Sequence, residues 1–203
     1  LPRVRIVGYS LGGYVGLWLA AQEPARVASV VTIATKFRWD TPTAAKESAF
    51  LDPATLRAKA PSFAASLAAR HGEERWETLA RETAAFLLKL GAAPALGPNE
   101  LGRIEQPVLI AVGDSDAMVS VDESAEAADV IPNGSLLVLP STPHPIEKAP
   151  VGLLAAAVPG EDRLLGVVEP RHEVGTGEDG GRVGHEADAG IGVCEEGVGH
   201  DGL

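Results

Sequence analysis

Residues 4–21 read Val4-Arg5-Ile6-Val7-Gly8-Tyr9-Ser10-Leu11-Gly12-Gly13-Tyr14-Val15-Gly16-Leu17-Trp18-Leu19-Ala20-Ala21. An apolar, β-branched run enters the stretch, a helix-like run leaves it, and Gly8-Tyr9-Ser10-Leu11-Gly12 lies between. G-x-S-x-G in strand–turn–helix context lifts a serine hydroxyl clear of a sheet edge. Glycines flank the serine because side chains there would collide with the neighbouring strand and helix. The N-terminus of the following helix turns backbone N–H groups toward any negative charge developing at the serine. Gly12, Gly16 and Ala20 recur at i, i+4 and i+8 and predict one small-residue stripe on which the helix approaches a sheet. Three glycines in one helix cost about 0.8–1 kcal/mol each against alanine, a cost that close backbone approach would explain. The stretch therefore points to a serine nucleophile at the mouth of an α/β sheet.

Outward from it, Val27–Ala34, Val108–Val112 and Leu136–Leu139 read as buried parallel strands, apolar on both alternating faces. Asp122 to Ile131 reads as a helix between the last two, with Asp122 as its N-cap. Strand–helix–strand repetition predicts a mostly parallel, doubly wound α/β sheet.

Two further groups fall after strands, in the order serine, acid, histidine. Gly113-Asp114-Ser115-Asp116 follows the second of these strands, and Ser141-Thr142-Pro143-His144-Pro145 follows the last. Before residue 159 the only histidines are His71 and His144, and His71 sits in a polar stretch at a helix end. That leaves His144, held between two prolines, as the candidate base.

With these segments the chain resembles the α/β-hydrolase superfamily, in particular small bacterial serine hydrolases with a helical lid. The resemblance rests on Gly8–Gly12, Gly113–Asp116 and the run His144-Pro145-Ile146-Glu147-Lys148-Ala149-Pro150, and covers roughly residues 3–157. It implies a partial α/β-hydrolase fold with Ser10 as nucleophile, His144 as general base and Asp116 as the orienting acid, Asp114 being the fallback. The Leu11 backbone N–H is then an oxyanion donor, worth about 2.7–4 kcal/mol of transition-state stabilisation. The implied substrate is a small molecule with an ester, thioester, amide or related carbonyl, passing through an acyl-enzyme. Perhydrolase and C–C hydrolase chemistry use the same triad and stay open. Dehalogenase and epoxide-hydrolase chemistry is disfavoured by a serine at position 10. A non-catalytic ligand-binding member of the fold, or an inactive fragment of the enzyme, is the alternative.

The sequence divides into residues 1–34 (nucleophile strand, helix and next strand), 35–103 (insert), 104–158 (second part of the core) and 159–203 (tail). In the insert, Thr41-Pro42 and Asp52-Pro53 pair a capping side chain with proline at a helix start, and Pro61 opens a third helix through Ala69. Glu73 to Leu90 predicts a fourth, with Trp76, Leu79, Ala80, Thr83, Phe86, Leu87 and Leu90 on its apolar face. Four helices between strands make a lid. Its apolar side chains are either lid core or, with Tyr9, Phe37 and Trp39, part of a substrate pocket.

Residue 1 is Leu, and the nucleophile strand begins within two residues of it. In the resembled family several strands and the loop with the second oxyanion N–H come first. The expectation is a truncated sequence, weak or inactive as it stands, with an exposed edge on its first strand.

The tail reads differently. Its 11 acidic side chains against three basic ones give a net charge of −8, so the remaining 158 residues carry only −3 of the total −11. It also holds 12 of the 23 glycines and no steady period, a composition too poor in apolar surface to offset chain entropy. Disorder or a reading-frame shift near residue 158 is expected. Gly175–Gly180 matches G-x-G-x-x-G, but no strand precedes it and two carboxylates inside it repel phosphate. His172, His185, Cys194 and His200 match no compact zinc spacing, so neither metal nor cofactor is expected.

The single Cys excludes an internal disulfide framework and fits a reducing, cytoplasmic setting, although a lost leader would alter that. No run of 18 apolar residues marks a membrane span. The acidic balance argues against nucleic acid. Oligomeric state is not encoded in any motif.

Overall fold

The computed structural model describes residues 3–157 and 192–193. The GxGxxG match, His172, His185, Cys194 and His200, and the expectations of disorder or frame shift lie outside those residues, Gly192–Val193 excepted.

Strands β1 (Val4–Tyr9), β2 (Val27–Ile33), β3 (Val108–Gly113) and β4 (Gly134–Leu139) form a parallel sheet in the order β4-β3-β2-β1. All four strands read from the sequence are present, but β4 is not buried on both faces: it ends the sheet, Leu136 and Val138 are exposed at 37% and 38%, and only Leu139 is buried. β5 (Gly192–Val193) adds to the outer side of β1, antiparallel, opposite Val7 and Ile6. The edge expected to lie open on β1 is thus paired at those two residues.

β3 is buried along its whole length, and Ile110, Ala111 and Val112 have no exposed surface. That is why its sequence shows no alternation: both faces are covered. One face gathers Val31, Ile33, Ala34, Leu109, Ala111 and Leu139 into a cluster, with Tyr9, Ile146 and Leu154 packed against it.

Helix α1 (Leu11–Gln22) returns the chain from β1 to β2, and buries Gly13, Tyr14, Gly16, Leu17 and Ala20. The small-residue approach runs through Gly13 and Gly16 rather than Gly12. A Cβ on Gly13 would stand 2.1 Å from Thr35 Oγ1, and one on Gly16 would stand 2.9 Å from Ile6 Cγ2. Of the expected stripe, Gly16 and Ala20 are buried, whereas Gly12 is only half-buried and Gly13 makes the close approach in its place.

Residues 38–97 form a compact unit of their own. It contains α2 (Thr41–Phe50), α3 (Pro53–Lys59), α4 (Pro61–His71) and α5 (Trp76–Ala92). Asp52 caps α3 by accepting from Thr55 N–H at 2.9 Å. The cap of α2 is Asp40, accepting from Thr43 N–H at 2.7 Å, and not Thr41. α5 buries Trp76, Ala80, Leu87, Leu90 and Gly91, whereas Leu79 and Phe86 are exposed at 40% and 44%, so the apolar face is narrower than expected. Its tightest neighbour is α2: a Cβ on Gly91 would lie 2.3 Å from Ala44 Cβ. Leu56, Ala64, Ala68, Trp76 and Ala80 form the core of this unit. The Arg57 guanidinium lies 4.9 Å from the Trp76 ring and is ion-paired with Glu77. The Arg57 and Arg81 hydrogen bonds to Glu77 hold its carboxyl below the usual range.

α6 (Pro98–Leu101), a single turn not foreseen from the sequence, leads back toward β3. α7 (Val121–Val130) joins β3 to β4, and its N-cap is Ser120 rather than Asp122. Ser120 Oγ accepts from Glu123 N–H at 3.1 Å while the Glu123 carboxylate reaches back to Ser120, a capping box. α8 (Val151–Ala157) ends the described core. Among the described residues no helix is long and apolar enough to cross a membrane, and no group of three His, Cys, Asp or Glu could hold a metal ion.

Candidate active site

Ser10 stands between the last residue of β1 and the first of α1, with φ 51° and ψ −120°. Positive φ is uncommon for a residue with a Cβ and costs energy, so the surroundings must hold it. They do so by backbone. Ser10 N–H donates to Ile33 O at 2.8 Å, and Ser10 O accepts from Gly13 N–H at 3.1 Å and Thr35 Oγ1 at 2.9 Å. Gly8 makes the turn possible, since a Cβ there would lie 2.5 Å from the Gly13 backbone. Leu11 is the first residue of α1, where a backbone N–H has no acceptor within the helix.

Asp116 lies three residues past the end of β3. Its side chain has no exposed surface, and both oxygens are used. Oδ1 accepts from Met118 N–H at 2.8 Å and Val119 N–H at 3.0 Å. Oδ2 is 2.8 Å from His144 Nδ1. Asp114, the fallback acid, is exposed and its Oδ1 accepts from the neighbouring Ser115 hydroxyl instead. A buried carboxylate that takes two amide N–H bonds on one oxygen and faces an imidazole nitrogen with the other has a hydrogen-bond partner on each oxygen.

His144 is reached by the loop after β4, and its side chain is 15% exposed. Thr142, two residues earlier, is buried and runs against Gly113, where a Cβ would stand 1.8 Å from Thr142 O. The missing side chain at Gly113 lets the acid's turn and the histidine's loop share that space. Tyr9, the residue before Ser10, donates its hydroxyl to His144 O at 3.1 Å, and the two rings lie 5.4 Å apart. This contact brings His144 beside the β1–α1 turn. No hydrogen bond between the Ser10 hydroxyl and His144 occurs among the described residues.

Of the other side chains read as pocket candidates, Phe37 is half-buried and its N–H donates to Glu123 Oε1 at 2.9 Å, which ties that segment to α7. Trp39 is half-buried at the start of the 38–97 unit. Tyr9 is the one engaged with the histidine. The pairing of Tyr9 with His144 had no sequence signal, because the partner of its hydroxyl is a backbone carbonyl.

The alpha/beta hydrolase fold family model matches residues 1–100. The chain has the α/β-hydrolase fold. A Variovorax paradoxus protein assigned as the carbamate hydrolase RutD is 32% identical to this α/β-hydrolase-fold chain over 161 residues. That alignment covers 70% of this chain and 59% of the relative, so the chain spans about three fifths of the relative's length. Among solved structures, a thermophilic esterase from Thermogutta terrifontis superposes with a TM-score of 0.55 at 24% identity, over 76% of this chain and 63% of its own. A serine hydrolase from the polyaromatic-hydrocarbon-degrading bacterium Cycloclasticus zankles gives 0.54 at 20% identity, over 75% and 61%. At these identities the structural likeness speaks for the fold of the α/β-hydrolase core.

Proposed function

We propose that this chain carries the active centre of a serine hydrolase that cleaves a small carbonyl substrate through an acyl-enzyme. The observation that carries the reading is the 2.8 Å contact between His144 Nδ1 and the buried carboxylate of Asp116, made beside the strained Ser10 turn.

A serine hydroxyl is a weak nucleophile at neutral pH until a base takes its proton. Asp116 Oδ2 accepts from Nδ1–H of His144, which leaves Nε2 unprotonated and able to receive the Ser10 proton. Ser10 Oγ then bonds to the carbonyl carbon, and the carbonyl oxygen takes the negative charge, met by the Leu11 N–H. The imidazolium returns its proton to the leaving group as the carbon–heteroatom bond breaks. Water, deprotonated by His144 in the same way, releases the acyl group and restores the Ser10 hydroxyl. No metal or organic cofactor enters these steps.

Esters, thioesters, amides and carbamates all present the carbon this sequence attacks. The carbamate in the name of the Variovorax relative places a carbamate first among substrates to try. The four helices of residues 38–97 are the lid in this reading, and the segment that selects the acyl group.

The test is labelling with a fluorophosphonate and mapping of the adduct by mass spectrometry. A single adduct on Ser10, absent in Ser10→Ala, is expected, together with hydrolysis of activated esters that Ser10→Ala loses. A folded protein that takes no label at Ser10 overturns the reading.

A further inference from the structure

We propose that Tyr9 is a positioning residue: its hydroxyl and ring hold His144 against Asp116 beside the Ser10 turn, and this rests on the triad reading above. The loop that carries His144 has few main-chain donors of its own. Of residues 140–145, Pro140, Pro143 and Pro145 have no N–H to donate. Thr142 packs against Gly113 and Asp116 fixes one nitrogen of the ring, but that single side-chain contact leaves the ring free to swing about it.

Tyr9 supplies the second and third points of attachment. Its Oη–H donates to the His144 backbone carbonyl at 3.1 Å, which fixes the main chain. Its ring faces the imidazole at a centroid distance of 5.4 Å and a tilt of 46°, which limits the swing. Tyr9 is itself immobilised, because it and Ile146 both pack against the buried Val31, Ile33, Ala34, Leu109, Ala111 and Leu139 cluster. The hydroxyl remains a donor throughout the working pH range. Burial, with the charges of Glu147 and Asp116 adding to it, pushes Tyr9 up to about 12, a backbone hydrogen bond from Ile146 partly opposing them. Since Tyr9 and Ser10 are consecutive, the base is tied to the residue next to the nucleophile. Small movements of either then occur together, which matters because a 1 Å misplacement can cost about a hundredfold in rate.

The variant to make is Tyr9→Phe, which keeps the ring and removes the hydroxyl. We expect kcat to fall about tenfold or more, with KM within about twofold, because the ring, the part of Tyr9 that would line a substrate pocket, is retained. A readout independent of turnover is the low-field proton resonance of the His144 Nδ1–H···Asp116 hydrogen bond, assigned by its loss in Asp116→Asn. That resonance should broaden in Tyr9→Phe through faster exchange with water. An unchanged resonance together with wild-type kcat overturns the proposal. If Tyr9→Phe does not fold, the unmodified protein decides: a nuclear Overhauser contact between the Tyr9 and His144 rings is expected, and its absence overturns the proposal. Failure of the hydrolase reading is separate, since it shows as loss of Ser10 labelling while the His144 resonance and ring contact persist.

Discussion

Thr142 crosses the end of β3 with its carbonyl oxygen where a side chain on Gly113 would begin, 1.8 Å from the position of a Cβ. This crossing lets the Gly113–Asp116 turn and the His144 loop interlock. Gly113→Ala is expected to push the Thr142 segment away and lengthen the His144–Asp116 contact. Overpacking of this kind typically costs about 1–3 kcal/mol. Chemical denaturation measures the loss, and ester turnover should fall by more than the lost stability alone explains.

Asp116→Asn keeps the shape of the side chain but places an amide where the carboxylate stood. Nδ1 would then face an N–H donor as readily as an acceptor, and Nε2 would carry the proton in the wrong tautomer. In a triad that change lowers kcat by about 10⁴-fold, and steady-state kinetics of the variant would show it. Asp114→Asn, at the exposed neighbour, should leave kcat unchanged.

Tyr9 makes stability depend on alkaline pH. Its folded-state value is raised to about 12 from the ordinary 10, so the phenol is neutral in both states below pH about 10. Above that the unfolded chain loses its proton first, and Tyr9's contribution is lost as pH rises through about 12. Urea midpoints measured across that window should fall more steeply for the wild type than for Tyr9→Phe.

Ser120→Ala removes the side-chain acceptor of the α7 capping box. The Glu123 N–H is left without its partner, and the expected loss is about 1 kcal/mol of stability. The urea midpoint reads it directly. Asp122→Ala, on the residue that the sequence pattern favours as the cap, should cost less.

The sheet was legible because β-branched runs such as Val27–Ile33 and Val108–Val112 have one physical use, and a parallel strand buried on both faces supplies it. Local choices between neighbours were less so. Asp40 and Thr41, or Ser120 and Asp122, are both able to cap, and only the backbone dihedrals decide which side chain meets the free N–H groups. Leu79 and Phe86 fit a helical period yet face outward, because α5 turns Gly91 toward Ala44. At the site, Ser10, Asp116 and His144 each announce themselves by a motif at a strand end. Tyr9 does not, since what it touches is a backbone carbonyl, and any residue type presents one.

The chain departs from β2 at Ile33 and rejoins the sheet at Val108, and residues 38–97 form a unit with a core of their own. None of the hydrogen bonds that hold Ser10, Asp116 or His144 involves a residue of that unit. Replacing residues 38–97 by a different helical segment is therefore expected to leave the 2.8 Å contact between His144 and Asp116 intact.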